Sequence, residues 1–184
     1  MKRSVLPTSI SFALTVTGWA WMRSWSTMSI SVRPAVAADV PWIFGQLREF
    51  DLVFPSRRSL MPRFEYGDAM LRQLVSVGPF FMAVDIVAAG EELVEEPAGF
   101  IAGMVAPHWM NPDVQVLTEL LWWVAPGYRG SSAAARLLRC FVDYGKANAD
   151  WTLCTIGKET PVNPRSFERL GLAPIEATYL LEVG

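Results

Sequence analysis

One histidine and two cysteines stand in 184 residues. Cys140 and Cys154 are too few for a disulfide framework. With His108 as the sole imidazole, no zinc-ligand spacing is formed, so no metal is expected. So little cysteine suits a reducing compartment, and a cytoplasmic location is the expectation. Charge is also scarce. Asp, Glu, Lys and Arg make up 18% of the chain and sum to −2, which leaves no electrostatic footprint for nucleic acid. A long apolar run is missing as well. Residues 5–20 are broken by Pro7, Gly18 and several Ser and Thr, too polar for a membrane span and without a clean signal-peptidase site.

What the chain has is apolar bulk. At 52% hydrophobic residues it can bury a core for one domain without covalent staples. Residues 1–28 carry only Lys2, Arg3 and Arg23 as charges and read as an N-terminal extension, with Met28 as an alternative start. Residues 29–184 read as the domain.

Hydrophobic periodicity predicts a strand over 30–33, then a helix capped by Asp39 with Pro41 in its first turn and Val40, Ile43, Phe44 and Leu47 buried. A second helix runs to Val77 and stops at Gly78-Pro79. Strands over 80–86 and 97–106 form a hairpin around an acidic, solvated turn at 90–96. A longer strand, 114–124, ends at Ala125-Pro126-Gly127. The helix after it, about 131–147, carries Ala134, Leu137, Leu138, Phe141 and Tyr144 on one side. A strand over 151–156, a short helix opened by Asn163-Pro164 and ended by Gly171, and a last strand over 178–183 complete the pattern. Hairpins combined with a strand–helix–strand crossover define an α/β class with a mixed sheet.

The passage from strand to helix reads WWVAPGYRGSSAAARLLR. A helix start offers unpaired N–H groups and the positive end of the dipole, and small residues let an anion approach them. Gly130, Ser131, Ser132, Ala133 and Ala134 are small, and Arg129 adds a positive charge at the rim. An ordinary capped helix start has the same residues.

In this context Arg129-Gly130-Ser131-Ser132-Ala133-Ala134 resembles the acetyl-CoA motif of the GNAT N-acetyltransferase superfamily, Arg/Gln-x-x-Gly-x-Gly/Ala, with Ser132 where Gly is usual. Val124 through Gly130 is similar to that family's V-x-P-x-x-R-G. Ser31-Val32-Arg33-Pro34-Ala35 with Ala38-Asp39 resembles its opening. Phe167-Glu168-Arg169-Leu170-Gly171-Leu172 is similar to its closing Y-E-K-x-G-F. The tryptophan-rich strand end resembles phage and prophage members.

The resemblance implies a mostly antiparallel sheet flanked by helices, with two strands splayed at a cofactor site. It implies acetyl-CoA as co-substrate. The pyrophosphate would rest on backbone N–H groups of Arg129, Gly130, Ser131, Ser132, Ala133 and Ala134, and the pantetheine arm would pair with Trp122, Trp123 and Val124. The acceptor would be a primary amine of a small molecule or peptide, attacking directly in a ternary complex. Monomer and homodimer are both open, and no nucleic acid or membrane partner is expected.

Glu119, in an otherwise apolar strand, is the candidate base, since burial would raise its pKa. The alternative is an exposed Glu on a half-covered sheet. Strand alternation puts it on one face with Leu117 and Leu121, opposite Trp122. Phe167 stands where the family has its acidic Tyr and cannot give a proton. Asn163 falls near a cofactor-contacting Asn of the family, though it also fits a helix cap. His108, the tryptophan side chains, Cys154 and the loop arginines Arg57, Arg58 and Arg63 have bland readings as loop or core residues. The rival to catalysis is a non-catalytic acyl-CoA-binding or interaction domain. A longer acyl donor is a further alternative.

Overall fold

The computed structural model describes residues 29–53, 61, 63–156 and 162–175. Strand β1 (Ile30–Pro34) leads through a 3-10 turn (Ala37–Asp39) into helix α1 (Val40–Val53). Helix α2 (Phe64–Val77) and strands β2 (Phe80–Ala89), β3 (Glu92–His108) and β4 (Asn111–Val124) follow. Helix α3 (Ala133–Asn148), strand β5 (Trp151–Leu153) and a single turn, α4 (Arg165–Glu168), close the described chain. The sheet runs β1-β2-β3-β4-β5. Its first four strands are antiparallel neighbours, and β5 joins β4 in parallel after the α3 crossover. This is the mixed α/β sheet flanked by helices that the residue pattern implies.

Several boundaries shift. The turn expected over 90–96 shrinks to Gly90 and Glu91, with Gly90 at φ 68°. Glu92, Glu95 and Glu96 keep exposed or half-exposed side chains while their backbone pairs with Ala89, Ile86 and Asp85, because ladder bonding does not require an apolar side chain. β5 ends three residues earlier than expected. Asp39 does not stand ahead of the helix as an N-cap. It closes the 3-10 turn, and its carboxylate reaches back to the Val36 N–H at 2.8 Å. The strand expected over 178–183 and the segment 1–28 lie outside the described residues, as do Arg57 and Arg58.

The sheet has a core on each face. α1 and α2 bury Val40, Ile43, Phe44, Leu47 and Leu71 against Phe80, Met82, Val84, Phe100 and Trp123. α3 buries Ala133, Leu137 and Phe141 against Ile30, Ala83, Ile101 and Leu117 on the other face. Each large aliphatic or aromatic side chain buried this way contributes roughly 1.5–3 kcal/mol. The Ala134 and Tyr144 expected on the buried stripe are only partly covered, while Val142 and Gly145 are buried. Close approach of α3 depends on Gly103, where a Cβ would lie 2.6 Å from the Phe141 ring.

β4 contains the irregularity that matters most. Ala102 pairs with Leu121 but Gly103 pairs with Glu119, so Leu120 is an extra residue, a bulge. Alternation slips by one across it. Leu117 packs on the α3 face and Leu121 on the α1–α2 face. Trp122, expected opposite Leu117, shares its face.

Candidate active site

β4 and β5 pair only at Val116–Trp151, Leu117–Thr152 and Thr118–Leu153. From Glu119 onward β4 has β3 on one edge and no strand on the other among the described residues. No described strand covers this edge, which the family resemblance assigns to a cofactor.

Glu119 sits at the apex of this divergence. It pairs with Gly103, whose missing Cβ faces Phe141, so the carboxylate belongs to the α3 face. Its Oε2 accepts the Thr155 N–H at 3.2 Å. Burial pushes its carboxyl up from 4.5 to about 7, and the Thr155 N–H offsets part of that rise. The neighbouring Cys154 thiol is pushed up to about 12 by burial and by the charge of Glu119, so it stays protonated at neutral pH. The Glu119 side chain is half-buried, between the two readings of it as a buried base and as an exposed residue of a half-covered sheet.

Beyond the apex, the three β4 residues named from the sequence separate. Ala125 N–H donates to Ala98 O on the β3 side, and the Trp123 carbonyl lies against Gly99 of β3. Trp122 and Val124, alternating with them, turn their backbone polar groups to the open edge. Trp123 thus pairs away from the opening, a correction to its expected place on the cofactor edge. Its ring crosses to the α1–α2 face, where Nε1 donates to Gln46 Oε1 at 3.0 Å and Phe50 packs edge-on.

The helix start is open in part. The Arg129 N–H donates to Pro126 O, and the Ser131 N–H to Tyr128 O. The Ser131 hydroxyl donates to Tyr128 O at 2.6 Å and accepts the Ala133 N–H at 3.2 Å. These three of the six expected N–H groups are spoken for. Those of Gly130, Ser132 and Ala134 have no acceptor among the described residues, nor does that of Ala135. Gly130 takes φ 84°, where a side chain would be strained. Residues 125–136 contain no carboxylate. An anionic group fits this cradle.

The Arg129 side chain does not extend over the helix start. Its guanidinium lies 4.6 Å from the Trp123 ring centroid, and its Nε donates to Val124 O at 3.3 Å. Instead, Arg136 reaches the helix start, donating from Nε to Ser132 Oγ at 3.2 Å. The sequence carried a signal for it: an i, i+4 spacing puts Arg136 on the face of Ser132.

Asn163 caps. Its Oδ1 accepts the Arg165 N–H at 3.0 Å at the start of α4. Phe167 is buried with Leu138 and Val142, and Trp122 stands edge-on to it at 5.9 Å. His108 packs on Trp151 at the far end of β3, away from Glu119 in the β3–β4 register. Among the described residues, no group of three or more His, Cys, Asp or Glu could hold a metal, and no helix is long and apolar enough to cross a membrane.

Solved structures with a similar fold are known. A transcriptional regulator from Bacillus halodurans is 16% identical with a TM-score of 0.60, over 84% of this chain and 99% of that one. A ribosomal-protein-alanine N-acetyltransferase from Brucella melitensis is 15% identical with a TM-score of 0.57, over 85% and 99%. Glucosamine-6-phosphate N-acetyltransferase from Arabidopsis thaliana is 13% identical with a TM-score of 0.58, over 85% and 99%. The chain shares the GNAT fold with these structures. No protein-family model matches it, and no curated protein matches it by sequence.

Proposed function

We propose that the chain is an acetyl-CoA-dependent N-acetyltransferase that modifies a primary amine of a small molecule or peptide. One observation carries this reading: a half-buried carboxyl, Glu119, pushed up to about 7, at the apex of an opening whose free strand edge runs on to a helix start with unpaired N–H groups.

Bound acetyl-CoA would supply the activated acyl group as a thioester. The N–H groups of Gly130, Ser132, Ala134 and Ala135, with Arg136, would hold its pyrophosphate. The backbone groups of Trp122 and the Val124 N–H would hold its arm in the manner of an added strand, the Val124 carbonyl being taken by Arg129 Nε. Glu119 accepts the proton of the incoming ammonium, either directly or through water, and at about 7 it is poised to do so at neutral pH. Phe167 has no proton to give, so protonation of the leaving group falls to solvent. The acceptors named for the similar folds are a ribosomal protein and an amino sugar phosphate, chemically unlike each other. They support an amine acceptor and no finer class. With acetyl-CoA as co-substrate, the cytoplasm is the proposed location.

The ring at Phe167 favours one rival, a domain that binds acyl-CoA without turning it over. Thiol release from acetyl-CoA across an amine panel separates the two. Turnover by the wild type, with kcat about 10²-fold lower for Glu119→Gln, is the expected result. The wild-type rate should rise with pH through about 7 and the variant should lose that limb. Tight coenzyme binding with no turnover on any amine supports the non-catalytic domain.

A further inference from the structure

Trp122 has a side-chain feature that the reaction above does not use. Its indole Nε1 is buried and without a hydrogen-bond partner. Such a donor has given up water and gained nothing in return, which native interiors seldom tolerate. The adjacent Trp123 shows the usual outcome, with its Nε1 satisfied by Gln46. No other buried side-chain nitrogen or oxygen among the described residues stands alone in this way.

The surroundings account for the orphan. The Trp122 ring packs on Leu138 and Val142 of α3, on Cys154 just past β5, and edge-on to Phe167. None of these side chains carries a good acceptor. Trp122 also lies on the unpaired length of β4, three residues past Glu119 and on the same face of the sheet. Its ring spans from β4 to the chain that follows β5, across the divergence of the two strands. The bulge at Leu120 is what brings it there.

We propose that the Trp122 indole N–H is a ligand-directed donor, satisfied by an acceptor atom on the pantetheine thioester arm of the acyl donor. The proposal rests on the acetyl-CoA reading above. The arm carries amide carbonyls and a sulfur end, all acceptors, whereas the phosphates belong at the helix start. An indole N–H does not transfer its proton under these conditions, so Trp122 holds the arm in place beside Glu119 and leaves the proton traffic to Glu119 and solvent.

The test follows the indole signals of the ¹⁵N-labelled full chain by NMR. The Trp122 signal is assigned by Trp122→Phe, or by its through-space contacts to the Phe167 ring if that variant does not fold. Three probes are titrated: CoA, desulfo-CoA, and 3′,5′-ADP, which has phosphates but no arm. The Trp122 signal should move with CoA and stay put with 3′,5′-ADP. A matching shift with desulfo-CoA assigns the contact to an amide carbonyl, and its loss assigns it to sulfur. Trp122→Phe should weaken CoA about tenfold and leave 3′,5′-ADP unchanged. CoA that binds without moving the signal, or a 3′,5′-ADP shift equal to that of CoA, overturns the proposal and spares the enzyme reading. No CoA binding at all overturns both.

Discussion

Glu119 is costly to the fold. A carboxyl whose pKa is raised by burial favours the protonated form in the folded state. Its contribution is therefore intact below the ordinary value of 4.5 and is lost as pH rises through about 7. Glu119→Gln removes the charge and keeps the shape. It should raise the Tm at pH 8 by an amount corresponding to about 2 kcal/mol and change it little at pH 5, read by thermal unfolding at both values. A variant that is more stable and less active would mark a residue kept for chemistry. The candidacy of Glu119 was legible because a carboxylate in an apolar strand is conspicuous. Its company was not, since the bulge at Leu120 leaves no mark in composition and inverts the alternation on which the face assignment depends.

At the scale of elements, the start of α3 and the middle of β3 make opposite demands on substitution. Ser132 stands at the N-cap and makes no capping bond. Ser132→Asp should stabilise the helix by about 0.3–1 kcal/mol through the dipole and a closer pair with Arg136. The same carboxylate should weaken acetyl-CoA by repelling its pyrophosphate. Calorimetric affinity and Tm measured together check this, and unchanged affinity would move the coenzyme elsewhere. Gly103→Ala should cost about 1–3 kcal/mol in urea unfolding, because the added methyl meets Phe141 and the Thr118 carbonyl and α3 must lift from the sheet. The small residues at 130–134 were readable as room for an anion. Which of their N–H groups stay free was not, because Tyr128 and Ser131 take up some of them through contacts that depend on the 3-10 turn before the helix.

Across the whole molecule, one polar cluster ties β1, the entry to α1 and the β2–β3 hairpin together. Arg33 donates to both oxygens of Asp39 at 2.8 and 2.9 Å and to Glu95 at 2.7 Å. Burial alone would raise the Asp39 carboxyl, but Arg33 and the Val36 N–H together hold it below the usual carboxylate range. Its stabilisation is present above its unfolded pKa and is lost as pH falls through the lower folded one. Asp39→Asn should cost about 2 kcal/mol at pH 7 and flatten the acid limb of the stability curve, measured by urea unfolding from pH 7 down to about 2. The same opening residues carried part of the family resemblance, and the structure gives them this fastening role.

The chain by itself determined the element types, the two buried faces of the helices, the absence of a metal-ligand pattern and the short list of chemically interesting residues. These follow from side-chain periodicity and local backbone preference, which act within a few residues. Tertiary structure alone decided where β5 parts from β4, which residue bulges, that Arg129 lies on Trp123 while Arg136 reaches the helix start, and that one tryptophan is satisfied while its neighbour is not. Each of these depends on groups distant in sequence competing for the same hydrogen bond or the same space, and no local pattern records the result of that competition.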